Sequence, residues 1–163
     1  MKTAIIYSSK HGTTGKVAGM IAERLGSDRN ITLINLNEEM QHDLSLFDDI
    51  ILGTSCYAGK PMGKMVRFYK KHISALEQKA IGLFICGMQN EEKLKHQLQK
   101  AYPNALHRRA EAEGVMGGEY LLKDLKGIEP YVMKAMKIKE PVHNIDMQAI
   151  EEFALKLLIQ SKN

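Results

Sequence analysis

The first apolar run of the chain, Ile5-Ile6-Tyr7, passes directly into Ser8-Ser9-Lys10-His11-Gly12-Thr13-Thr14. A helical pattern starts at once, with Val17, Ile21 and Leu25 on one stripe and Ala18 and Ala22 beside it. Strand, hydroxyl-rich turn and helix N-terminus together make a phosphate cradle: backbone N–H groups and the positive end of the helix dipole face the turn, and the hydroxyls add donors. An ordinary strand–helix turn, with Thr13 or Thr14 as N-cap, would use the same residues.

The other chemistry-bearing types are sparse. Cys56 and Cys86 are the only cysteines, which makes neither a disulfide framework nor a zinc set. They read as small core hydrophobes ending two strands rather than as a redox pair. No side chain stands out as a general acid or base, so no catalytic residue is named. Rival phosphate fingerprints fail in turn. No G-x-G-x-x-G follows the first apolar run. Gly12 to Val17 has the Walker-like Gly-Lys, but its first glycine is too close and Val17 replaces the hydroxyl residue. A cysteine phosphatase needs an arginine where Met62 and Glu92 stand, and a phospho-aspartate receiver needs acids where Tyr7-Ser8-Ser9 and Gly53-Thr54-Ser55 end their strands.

Positioning such a turn falls to alternating strands and helices. Strands are predicted at Lys2 to Tyr7, Ile31 to Leu36, Asp49 to Gly53, Lys79 to Cys86 and within Ala110 to Leu122, the last broken by Gly114, Gly117 and Gly118. Helices are predicted at Thr14 to Leu25 (with Gly26 at C′), from Gly63 to about Ala75, at Glu91 to Ala101 before Pro103, and at Asp146 to Gln160. Thr54 to Gly63 reads as a loop. The apolar, non-alternating Ile81 to Ile85 run suits a strand covered on both faces. Alternation of this kind implies a parallel sheet between helical layers, with ligands at the C-terminal ends of its strands. Ser8 to Thr14, Thr54 to Gly59 and Gly87 to Asn90 should therefore share one site. With no repeat and no linker, residues 1–163 read as one domain.

The chain has 163 residues, 44% of them apolar, a net charge of +4 and a pI near 9.0. It is long enough to bury a sizeable core. No apolar run approaches the roughly 20 residues of a membrane span, and the N-terminus lacks a signal-peptide pattern. A cytoplasmic location is the expectation. Aromatic interleaving for nucleic-acid binding is poor, so no nucleic-acid partner is expected.

From Ile5 to Ile21 the chain resembles the flavodoxin signature, with Ile5, Ile6, Tyr7, Ser9, Gly12, Thr14, Ala18 and Ile21 at its specified positions. The likeness extends over essentially the whole chain, weakening after residue 122, and is most similar to a subgroup with quinone-linked protoporphyrinogen dehydrogenases. Asp48 to Ser55, Gly59, Phe68-Tyr69-Lys70-Lys71-His72 and Asp146 to Ala154 carry that finer resemblance. It implies a flavodoxin-like three-layer α/β sandwich whose five-stranded parallel sheet has the order 2-1-3-4-5, and a flavin mononucleotide (FMN) site. The phosphate would lie on Ser9, Lys10, His11, Gly12, Thr13 and Thr14. The isoalloxazine would lie between Ser55-Cys56-Tyr57-Ala58-Gly59 and Gly87-Met88-Gln89-Asn90, with Tyr57 stacking on it. Lys10 and His11 depart from the small or hydroxyl residues common in the family's turn, and Met88-Gln89 replace an aromatic.

Electron transfer with a redox partner protein is the implied function. An enzyme passing electrons from a porphyrinogen to a quinone is the alternative, and a flavin-free phosphate-binding or scaffolding domain is a reading from another class. Lys60, Lys64, Arg67 and Lys71 recur at helical spacing beside the expected flavin edge, which suits an acidic partner or an anionic substrate. Residues 128–139 mix Tyr131, Val132, Met133, Met136 and Ile138 with Lys134, Lys137 and Lys139. That pattern would suit either a basic amphipathic helix touching a membrane surface or an insert packed on the fold.

Overall fold

A computed structural model describes residues 1–27, 29–38, 43–120 and 142–160. Five parallel strands form the sheet: β1 (Lys2–Ser8), β2 (Asn30–Asn35), β3 (Asp49–Tyr57), β5 (Ala80–Cys86) and β6 (Ala110–Val115). Their order is β2-β1-β3-β5-β6, which is the expected 2-1-3-4-5 once the two-residue β4 (Lys60–Pro61) is counted in chain order. The helices are α1 (Thr13–Leu25), α2 (Gly63–Leu76), α3 (Glu91–Ala101), the single turn α4 (Asn104–His107) and α5 (Met147–Gln160).

Successive side chains of a strand point to opposite faces, and here both faces are apolar. Ala4, Ile6, Ile50, Leu52, Leu83 and Ile85 pack with Met65 and Leu76 of α2 and Leu94 and Leu98 of α3. Ile5, Ile51 and Phe84 face the other way, onto Val17 and Ile21 of α1 and Ile150, Phe153 and Leu157 of α5. All of these core residues are at most 4% exposed. Among the described residues, α2 and α3 therefore cover one face, with Leu106 of α4 beside them, and α1 and α5 cover the other.

Two predicted segments differ. The stretch Thr54 to Gly63 is not a loop. β3 runs on to Tyr57, reverses at Ala58-Gly59 and returns as β4, pairing Tyr57 with Lys60. Both turn residues have positive φ, 48° and 76°, as a two-residue hairpin turn of the I′ kind demands. The Met62 amide donates to Thr54 Oγ1 at 3.2 Å and fixes the return. The fifth predicted strand is two strands. β6 ends at Val115, and β7 (Gly117–Tyr120) leaves the sheet to pair antiparallel with β8 (Val142–Ile145). The expectation for residues 128–139 lies outside the described residues. Among those described, no helix is long and apolar enough to cross a membrane.

Candidate functional site

The turn after β1 is shaped by Gly12, which sits at the N-cap of α1 with φ 89°, a left-handed conformation natural to glycine. Thr13 and Thr14 are already helical, so neither caps the helix as the sequence suggested. Ser9 takes that part from further back: its Oγ accepts from the amides of Gly12 at 2.9 Å and Thr14 at 3.4 Å. Its own proton remains for a ligand. Asn37, just past β2, clamps the turn from the other side. Its Nδ2 donates to the Ser9 carbonyl, and its own carbonyl accepts from Lys64 Nζ at 3.3 Å. The first turn of α2 is thereby tied to the turn that precedes α1.

A cleft opens at this edge, lined by Ser9, Lys10, His11, Thr13, Ser55, Cys56, Tyr57, Gly87 and Met88, all of them expected from the sequence. Cys86, Gly118 and Glu119 also line it. Of the other expected residues, Gly12 shapes the turn and Thr14 lies wholly buried. Ala58 and Gly59 form the hairpin tip. Gln89 and Asn90 do not reach the cleft. They line a separate groove with Val115, Gly117 and Ile145, where Asn90 caps α3 by accepting from the Lys93 amide at 3.0 Å.

Several hydroxyls here are buried without a hydrogen-bond partner within the protein: those of Ser8, Thr14, Ser55 and Tyr57. Lys10 Nζ lies 4.0 Å from the centroid of the Tyr57 ring, in cation–π range. Burial pushes the Cys56 and Cys86 thiols up to about 12. At Cys86 the Thr14 hydroxyl opposes that rise, without reaching hydrogen-bond geometry, and the neighbouring Cys56 adds to it. Both thiols stay protonated and poorly nucleophilic at neutral pH.

Sequence reasoning missed the wall formed by β7. Its first residue is held to the loop after β5, where the Gly87 amide donates to the Gly117 carbonyl at 2.9 Å. Glu119 then reaches α1: Thr13 Oγ1 meets its backbone carbonyl at 3.5 Å, and Lys16 Nζ meets its carboxylate at 3.1 Å. His143 of β8 contacts the same carboxylate at 3.2 Å. Burial by itself would raise the Glu119 carboxyl, but the bonds and charges of Lys16 and His143 outweigh it and hold the group below its ordinary range. The Gly117-Gly118 pair marks where the chain leaves the sheet, but nothing in the local pattern announces Glu119.

The arrangement is similar to known proteins. A family model described as a flavodoxin domain matches residues 4–144. No curated protein matches the chain in sequence. Oxidised flavodoxin 2 from Bacillus cereus is similar in structure, with a TM-score of 0.65 and 20% identity over 98% of this chain and 99% of that one. The flavodoxin of Streptococcus pneumoniae TIGR4 gives 0.62 and 16% over 98% and 99%, and oxidised flavodoxin 1 of B. cereus gives 0.56 and 18% over 86% and 100%.

Proposed function

Because this chain belongs to the flavodoxin domain family, we propose that it binds FMN in the cleft at the C-terminal edge of the sheet and passes electrons. The observation that carries this reading is the group of buried, unpartnered hydroxyls of Thr14, Ser55 and Tyr57 in and beneath one cleft. Each such group costs about 1–3 kcal/mol if left unpaired. A polar ligand with acceptors along its length offsets that cost, and a flavin mononucleotide has them.

Residue roles follow from placement. The turn from Ser9 to Thr14 would hold the phosphate with α1 amides, the helix dipole and the hydroxyls of Ser9, Thr13 and Thr14. Lys10 and His11 on the cleft wall would add positive charge or donors. Ser55, Cys56, Tyr57 and the Ala58-Gly59 turn on one side, and Gly87 and Met88 on the other, would exclude water from the ring, with Tyr57 as the stacking face. When bound, FMN supplies the one- and two-electron chemistry. The protein sets its potential, and the cation at Lys10 favours a reduced, negatively charged ring. Each tenfold preference for one redox form over the other moves a one-electron potential by about 59 mV.

Lys60, Lys64, Arg67 and Lys71 are exposed, and the first two adjoin the cleft through the Tyr57–Lys60 pair and the Asn37–Ser9 contact. An acidic redox partner fits this rim. The alternative that the sequence resemblance suggests is porphyrinogen oxidation with a quinone acceptor. Residues 121–141 are inserted between β7 and β8, and Gly118 and Glu119 of β7 are part of the cleft wall.

The first test is direct. The purified protein is expected to be yellow and to release FMN on denaturation. A colourless protein that also fails to take up added FMN overturns both redox readings and leaves a flavin-free phosphate-binding or scaffolding role. Turnover of a porphyrinogen with a quinone, lost when residues 124–141 are removed while FMN is retained, would favour the enzyme over the carrier.

A further inference from the structure

Glu119 is an anion already in place at the phosphate cradle. Its carboxylate is the sheltered member of its cluster: the Glu119 side chain is 9% exposed, against 51% for Lys16 and 63% for His143. It lines the same cleft as Ser9, His11 and Thr13. It also engages donors of the α1 first turn. Thr13 Oγ1 is directed at its carbonyl at 3.5 Å, and Lys16 Nζ reaches both carboxylate oxygens, at 3.3 and 3.1 Å. Lys16 stands one helical turn past the Gly12 cap, donating its amide to the Gly12 carbonyl at 3.0 Å. A carboxylate near the positive end of a helix gains from the dipole in the way a phosphate does. A phosphate placed on the Thr13 side of the cleft would stand beside the Glu119 carboxylate, and like charges at close range repel.

We infer that Glu119 is a specificity-determining residue: its carboxylate, held by Lys16 and His143 on the wall of the cleft, repels the ligand's phosphate, and so weakens binding of the phosphorylated flavin relative to riboflavin. This inference rests on FMN being the ligand. Arrival of the phosphate draws the Thr13 hydroxyl away from the Glu119 carbonyl and sets a second anion against the carboxylate. The β7–β8 hairpin is then pushed from the cradle, with its tie to α1 reduced to Lys16, while it keeps the Gly87–Gly117 contact. Phosphate binding thus loosens the cleft wall that bears Glu119, whereas riboflavin, which brings no second anion, leaves the tie intact.

The experiment titrates wild type and Glu119→Gln with FMN and with riboflavin, following flavin fluorescence. Gln keeps the shape and can still hydrogen-bond, but carries no charge. Glu119→Gln should bind FMN about tenfold more tightly than wild type, with riboflavin affinity within about twofold. An equal change for both flavins, no change, or weaker FMN binding overturns the inference and leaves Glu119 as a structural tie. Should the variant not fold, hydrogen exchange on the wild-type protein decides. FMN should speed exchange of residues 117–120 and 142–145 relative to riboflavin, and equal protection by both overturns the proposal. A wild-type protein that takes up neither flavin overturns the FMN reading itself, a result distinct from the failure of Glu119.

Discussion

Thr3, Asp49 and Arg29, at the edge where the strands begin, are as deeply buried as Ser8 and Thr14 at the edge where they end. Yet the two edges treat their polar groups oppositely. At the first, Arg29 Nη1 pairs with Asp49 and reaches Thr3 Oγ1 at 3.4 Å, Thr3 donates to Asp49 Oδ1 at 2.9 Å, and Arg29 Nη2 donates to the Leu157 carbonyl at 2.9 Å. Each of these three side chains has a partner, and the network ties β1 and β3 to the end of α5. At the second edge the hydroxyls of Ser8, Thr14, Ser55 and Tyr57 have none. One edge is completed by the protein alone. The other is left open for the ligand that the proposed function assigns to it. Stability and binding should therefore separate when each edge is perturbed.

The largest effect is expected at the closed edge. Arg29→Met leaves the Asp49 carboxylate buried without its cation, at a cost of about 3–5 kcal/mol. Urea unfolding should show that loss, while the fraction still folded binds FMN with unchanged affinity. A fall in affinity of the same size would mean that the two edges are not independent.

At the open edge the reverse is expected. Thr14→Val keeps the volume of a fully buried side chain and removes only a hydroxyl that has no partner in the protein. FMN affinity should drop by about 1.5–3 kcal/mol, the usual worth of a bond to a charged group, while riboflavin affinity and the stability of the ligand-free protein hold or rise. Equal loss for both flavins in titration calorimetry would show that Thr14 does not act through the phosphate.

That division also explains what was legible in the sequence. Layers, helix positions and strand order follow from local signals: the non-alternating run Ile81 to Ile85, the Val17-Ile21-Leu25 stripe, Pro103 after α3. The cradle was legible because a strand, a hydroxyl turn and a helix start adjoin within Ile5 to Ile21. Thr54 to Tyr57 reads as loop because the apolar run stops at Gly53 and no burial pattern continues from there to the Ala58-Gly59 turn. There the neighbours decide, with Ser55 registered against Cys86 of β5 and Cys56 against Pro61 of β4. Asn37, Lys16, Glu119 and His143 were not legible at all. Their role arises from pairings across 24 to 106 positions of chain, which no local pattern encodes.

A smaller effect is expected at Gly12. A Cβ there would meet nothing within 4 Å, so only the positive φ opposes substitution. Gly12→Ala should cost about 1 kcal/mol of stability by urea unfolding, since a left-handed alanine is strained by roughly 1–2 kcal/mol. Because the turn it bends is the cradle itself, FMN affinity should fall by more than stability does. A loss confined to stability would separate the shape of the turn from its chemistry.

The smallest effect is expected at the thiols, which share the open edge without sharing its readiness for ligands. Cys56 and Cys86 border the cleft, but burial holds both near 12, so at pH 8 only about one molecule in ten thousand carries a thiolate at either site. Iodoacetamide should leave the native protein unmodified over hours and alkylate both residues once it is unfolded. The linkage has a definite sign. A thiol whose folded value lies above its ordinary 9.0 adds stability that is complete below pH 9.0 and is lost as the pH rises toward 12. Alanine at either position should flatten that alkaline slope. Rapid alkylation of the native protein at pH 8 would instead place a reactive thiolate beside the flavin, and the open edge would then hold a second redox group.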